Sequence, residues 1–196
     1  MLPNEDEKLD PRVRRTRQML IEAFTDLLKE KGFAALNVND ITARAGVNRA
    51  TFYAHFPDKY ALLDHQMREA FRKTLDGRVL NACHFSLDNL RVLIVTVCEF
   101  VGEIHSHNGA EEQFQSLAEA QIREQVSGLV THWLEQMNTL ERCTISRERA
   151  AIAASWAIYG LAHQWAHEKQ KTSAEQFAGE VLPLVAANLG QTIELG

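Results

Sequence analysis

The sequence predicts an all-α protein: a three-helix helix-turn-helix head followed by a six-helix body. Three observations predict it. Proline is scarce, four in 196 residues, while Ala, Leu, Glu and Gln, all good helix formers, are abundant. Apolar residues recur at three- and four-residue spacing, without the alternation of a strand. Gly, Ser, Asn and Asp stand at the ends of these stretches, where helices stop and are capped.

The elements follow in order. Leu20, Ala23, Phe24, Leu27 and Leu28 form the stripe of a first helix that ends at Lys31-Gly32. Asn37 caps a short second helix marked by Val38, Ile41 and Ala45. Gly46 then allows a sharp turn into a third, from Asn48 to His55. Asp58 caps a fourth, with Leu62, Leu63, Met67, Phe71 and Leu75 on one face. Ser86 opens a fifth that runs to about His107, with Leu90, Leu93, Ile94, Val97, Val101 and Ile104 inward, and Asn108-Gly109 ends it. A short piece from Glu111 to Leu117 precedes a long helix through Ile122, Val126, Leu129, Val130, Trp133 and Met137. Ser146 opens an Ala-rich segment, Ala150 to His167, that is apolar nearly all round and so needs cover on more than one side. Ser173-x-x-Gln176 is a capping box for the last helix, where Pro183 should bend the chain. The expected organisation is a disordered tail over residues 1–10, a helix-turn-helix head over 11–57 and a helical body over 58–196.

Composition narrows the class. No apolar run approaches the roughly 18 residues of a membrane span, and the polar start from Met1 to Glu7 lacks a signal-peptide core. Cys83, Cys98 and Cys143 form no CxxC pair and cannot all pair with one another, which suits a reduced, cytoplasmic protein. Net charge is −5, yet residues 8–59 carry ten Lys or Arg against six Asp or Glu, a local +4 that leaves −9 on the rest. A basic head on an acidic body fits a phosphate-binding module joined to a domain that does not touch DNA.

The stretch from Val38 to Lys59 carries the function. Two short helices across the Ala45-Gly46-Val47 turn make the helix-turn-helix pattern. The second alternates anchoring aromatics, Phe52 and Phe56, with Asn48, Arg49, Thr51, Tyr53 and His55. A helix that enters the major groove needs that division between a held face and a reading face. Over residues 12–63 the sequence resembles the TetR family of bacterial repressors. The resemblance rests on Leu28-Lys29-Glu30-Lys31-Gly32-Phe33, on Val38 to Val47, and on Thr51-Phe52-Tyr53-x-His55-Phe56-x-Asp58-Lys59. It implies DNA contacts from Asn39, Thr42, Asn48, Arg49, Thr51 and Tyr53, with phosphate contacts from His55 and from Lys59 at a helix N-terminus. Arg49 is the candidate guanine reader. Arg12, Arg14, Arg15 and Arg17 are either a solvated face or an arm along the DNA backbone, which the upstream Glu5, Asp6 and Glu7 would oppose.

The same resemblance implies a body whose middle helices enclose an effector cavity and whose last two pair with their copies in a homodimer. Candidate pocket residues are Met67, Phe71, Phe100, Phe114, Trp133, Met137, Trp156, Tyr159 and His163, with Gln66, Gln115 and Gln121 as further polar groups. Such a lining suits a small hydrophobic effector. His163 and His167, four apart, have metal-compatible spacing, and His105 and His107 form a second pair. Without an HExxH-like pattern no metal and no cofactor is expected. The expected partners are a near-palindromic double-stranded operator, a second copy of the chain and an unidentified effector, with no membrane. Two alternatives stay open: a DNA-binding dimer controlled without a small molecule, and an all-α enzyme, for which no P-loop, GxSxG or dinucleotide fingerprint speaks.

Overall fold

The first helix, α1 (Pro11–Lys31), begins where the sequence supplies both a cap and a proline. The Asp10 side chain accepts from the backbone N–H of Arg12 at 2.8 Å, and Pro11 stands where no donor is needed. Gly32, at φ 74°, closes the helix with its N–H on the Leu28 carbonyl. The computed structural model describes residues 10–79, 84–108, 112–137, 146–168 and 172–190. Of the tail expected over residues 1–10, residues 1–9 lie outside them, as do Cys83 and Cys143, while Asp10 is the cap of α1.

α2 (Val38–Ala45) starts with a reciprocal capping box between Asn37 and Asp40 and ends at Gly46, whose φ of 68° is left-handed. α3 (Arg49–His55) is capped by Asn48, whose side chain accepts from the Thr51 N–H at 2.8 Å. Asp58 caps α4 (Lys59–Val79) through the Ala61 N–H. These helices close over Leu20, Phe24, Ile41, Phe52 and Phe56, all at most 2% exposed. Each such side chain contributes about 1.5–3 kcal/mol by leaving water.

α4 runs through two cores. Its first turns bury Leu62 and Leu63 with the head, and Phe71 and Leu75 belong to the larger cluster of the body. That body is built from α4, α5 (Leu87–Asn108), α6 (Glu112–Glu135), α7 (Arg147–His167) and α8 (Ala174–Asn188). α7 packs against α5, α6 and α8, which explains its nearly all-round apolar sequence. Ser86, Ser146 and Ser173 each accept from a backbone N–H three residues on, as their positions predict. Pro183 is accommodated within α8.

The all-α class and the helix-turn-helix head stand, but the body has five helices among the described residues rather than six. The short piece expected from Glu111 and the long helix after it are one continuous α6. No glycine or proline interrupts the chain between Glu112 and Val126, so the helical ladder has no reason to break there.

Candidate nucleic-acid interface

α3 is held from behind and open in front. Phe52 is fully buried, and its ring meets Tyr53 edge-on at 5.5 Å and Phe56 at 6.1 Å. On the opposite side Asn48, Arg49 and Tyr53 are exposed, Tyr53 by 48%. Arg49 and Tyr53 stand one turn apart. The guanidinium donates to the tyrosine hydroxyl at 3.2 Å and lies 5.8 Å from its ring centre. The pair presents a hydroxyl and four remaining guanidinium N–H groups to the outside. Asn39 is also exposed, on α2.

Other expected contacts are placed differently. Thr42 is only 5% exposed and its hydroxyl donates to the Asn39 carbonyl at 3.1 Å, so it braces α2 from within. Thr51, half-buried, donates its hydroxyl to the Asn48 side chain at 3.0 Å and so helps hold the cap. Lys59 points back into the head. Its ammonium donates to the carbonyls of Phe33 at 3.0 Å and Leu36 at 2.8 Å and sits 4.4 Å from the Phe33 ring centre. Two of its three donors are thereby committed to the α1–α2 connection. His55 is half-buried; burial first, and the Arg17 charge second, hold its imidazole below the ordinary value of 6.5, so the ring is neutral at pH 7. It can still donate one N–H to a phosphate, without a full charge.

Arg17 is the residue that sequence reasoning misplaced. Its guanidinium stacks 4.5 Å over Phe56, reaches the His55 carbonyl at 3.5 Å and lies 3.3 Å from the His65 Nδ1. It ties α1 to the end of α3 and to α4. Arg12, Arg14 and Arg15 are exposed, but they ride on the first turns of α1 and not on an extended arm. The signal was available in the Asp10-Pro11 start, which places all four arginines inside a helix.

The expected effector cavity is not assembled as predicted. Phe71, Phe100 and Trp133 are at most 8% exposed and belong to the closed core, with Met137 packed against it. Met67 packs on the head core instead. Trp156 is 52% exposed, its ring covered by the Arg123 guanidinium at 3.6 Å. Phe114 is a position on α6 whose side chain falls outside the described set. Gln66 ties α4 to α1 through Thr25 at 2.6 Å, and Gln121 ties α6 to α4 through Asp64 at 2.7 Å. Of the predicted nine, Tyr159 and His163 line a cleft, with Gln115 and in company with His105 and His167. Burial pushes the Tyr159 hydroxyl up to about 12. Cys98 is buried and free, its thiol likewise pushed up to about 12. Among the described residues no group of His, Cys, Asp and Glu is arranged to hold a metal, and no helix is long and apolar enough to cross a membrane.

A helix-turn-helix with an anchored rear face and an exposed polar front, mounted on a helical body, defines a DNA-binding transcriptional regulator. The family model for bacterial regulatory proteins of the tetR family matches residues 20–65. The chain is 32% identical to the HTH-type transcriptional regulator EthR of Mycolicibacterium smegmatis over 159 residues, 79% of this chain and 71% of that one. It is 39% identical to the transcriptional regulator YxbF of Bacillus subtilis over 79 residues, 38% of this chain but only 21% of that one. In three dimensions it is similar to RolR in complex with resorcinol, with a TM-score of 0.59 at 18% identity, covering 94% of this chain and 98% of that one. The chain belongs to the tetR family.

Proposed function

We propose that the protein is a cytoplasmic, homodimeric repressor that binds a near-palindromic operator and leaves it when a small effector occupies the body. The observation that carries the reading is the exposed Arg49–Tyr53 pair on a helix fixed by Phe52. On this reading α3 enters the major groove, with Asn48 and Arg49 at base edges and Tyr53 and His55 at phosphates. Asn39 borders the groove from α2. Thr42 and Thr51 act mainly by positioning, and the third donor of Lys59 is left for a phosphate.

Dimerisation is supported by apolar groups on the outer faces of the last two helices. Ile152 and Trp156 on α7 are 43% and 52% exposed, and Leu184 on α8 is 59% exposed. Gly160 and Ala187 beside them are small and exposed, which permits close helix approach. Effector control is supported by the cleft lined by Tyr159 and His163 and by the ligand-bound RolR. The tight packing of Phe71, Phe100 and Trp133 favours a second reading, a dimeric regulator without an effector.

Selection of bound fragments from a random DNA library tests the first part. A single enriched motif with two inverted half-sites about one helical turn apart is the expected result. Enrichment of an unpaired motif, or none, would remove the dimeric operator reading. Mass spectrometry of small molecules released on denaturation separates the effector-controlled from the effector-free regulator.

A further inference from the structure

Three histidines from two helices meet at one place in the body. The His105 and His167 ring centres are 4.1 Å apart and those of His163 and His167 are 4.3 Å apart. The Tyr159 ring lies 5.9 Å beyond His163. The imidazoles line a cleft together with Val101, Ile104, Ala118 and Ile122. Counting its mouth, the cleft holds about 310 Å³ of unfilled space. Imidazole nitrogens beside apolar side chains suit a ligand with a small polar head and a greasy remainder.

The nitrogens show what head is wanted. His167 Nδ1 lies 2.8 Å from the carbonyl oxygen of His163, which can only accept, so Nδ1 carries the proton. Its Nε2 is then a bare lone pair until a second proton arrives. His105 Nδ1 is cut off from solvent and has no hydrogen-bond partner among the described residues. The charged groups that bear on His163 from its neighbours are His105 on α5, His167 on its own helix and Glu119 on α6. Glu119 is already paired with Arg123 at 3.2 Å, and both also face Tyr159. Three imidazoles this close repel one another once protonated, and an anion among them removes that repulsion. The rings are not arranged to hold a metal.

The cleft also has a mechanical outlet. Ile104, in its lining, packs against both the body core and the head core. A ligand that moves Ile104 therefore presses on the head beside Met67 and Leu117, which pack on the same cluster.

We propose that this cleft binds the carboxylate head of a small organic acid, with His105, His163 and His167 as hydrogen-bond donors and Ile104 passing occupancy to the DNA-binding head. The assignment rests on the effector-controlled reading above and names the chemical class that the effector belongs to. An anion at His167 Nε2 brings a proton with it, because the Nδ1 proton is already given to the His163 carbonyl.

Calorimetry on the full-length protein tests it, with sodium benzoate and sodium octanoate beside benzamide and octanamide, at pH 6 and pH 8. Two buffers of different ionisation enthalpy report the protons exchanged. The acids should bind at least about tenfold more tightly than the matched amides, the gain of a charge-assisted over a neutral hydrogen bond. Affinity should be higher at pH 6, with net proton uptake. His105→Gln and His163→Gln should each lose most of the preference for acid over amide while keeping the wild-type circular dichroism. Amides that bind as well as acids, binding without proton uptake, or histidine variants with unchanged preference overturn the assignment. So does a histidine-dependent stabilisation by zinc chloride with none by the acids. The selected operator fragment supplies the separate readout. Acids that bind in the cleft without altering DNA affinity leave the ligand site standing and remove the effector-controlled reading. Ile104→Val should bind the acid normally but transmit less of it to DNA.

Discussion

Arg49 and Lys59 show how two basic residues ten positions apart come to have different work. Arg49 is exposed and, among the described residues, bonded to Tyr53, a partner it can leave for a guanine edge. Arg49→Ala should cost about 1–3 kcal/mol of operator affinity, roughly 5- to 150-fold, and relax specificity at one position of each half-site. Anisotropy titrations against single-base operator variants would show it; a uniform loss across all variants would make Arg49 a phosphate contact instead. Lys59 is committed to the carbonyls of Phe33 and Leu36. Hydrogen bonds to charged groups contribute about 1.5–3 kcal/mol each at most, so Lys59→Ala should lower the thermal midpoint by several degrees. Arg49→Ala should leave the midpoint unchanged. A Lys59→Ala protein with a wild-type melt and a shallower salt dependence of DNA binding would reverse that assignment.

At the scale of elements, the turn between α2 and α3 sets the angle at which the reading helix is offered. Gly46 holds it at φ 68°, and a methyl group added there meets nothing within 4 Å. The penalty for Gly46→Ala is therefore conformational only, about 1–2 kcal/mol for a left-handed residue with a Cβ. Chemical denaturation should give that loss with an unchanged slope; no loss would mean that the turn can be made another way. The α5–α7 contact carries the pH dependence. Burial first, then His167, holds the His163 imidazole below its ordinary 6.5, so the unfolded chain takes up a proton more readily than the fold. Stability from this group is full above about pH 6.5 and is lost as the pH falls through that value towards the folded one. The thermal midpoint should drop between pH 7.5 and pH 5.5, and less so in His163→Gln. Equal drops in both would assign the effect to other groups, His55 first among them.

For the whole molecule the deciding question is what covers Ile152, Trp156 and Leu184. These side chains are large, apolar and between 43% and 59% exposed on the last two helices. A second copy placed against them would bury them and set the separation of two α3 helices. Trp156→Glu with Leu184→Glu should give a monomer by light scattering and weaken operator binding more than a thousandfold, because one head retains roughly half of the contact energy. A dimer that survives both changes would move the interface elsewhere. On the effector-controlled reading, a signal from body to head would have a short route in the same frame. α4 is strapped to the head by Gln66 and to α6 by Asp64 and Arg68, which meet Gln121 at 2.7 and 3.0 Å.

The sequence alone determined the helical class, the caps, the turn at Gly46 and the division of α3 into an anchored and an exposed polar face. All of these are set within a few residues, by hydrogen bonds to the nearest free backbone groups and by the 3.6-residue period. The continuity of α6 is legible too, in the absence of a Gly or Pro between Glu112 and Val126. What Arg17, Thr42 and Lys59 do was decided only by tertiary structure, because long basic and small polar side chains suit a surface or a clamp equally well. The same holds for the pocket. Apolar periodicity marks a face as buried without saying whether a neighbour fills it, so Phe71, Phe100 and Trp133 went to the core. The cleft formed where His105 from α5 met His163 and His167 from α7. Those helices are far apart in the chain, and only packing brings their imidazoles within about 4 Å of one another.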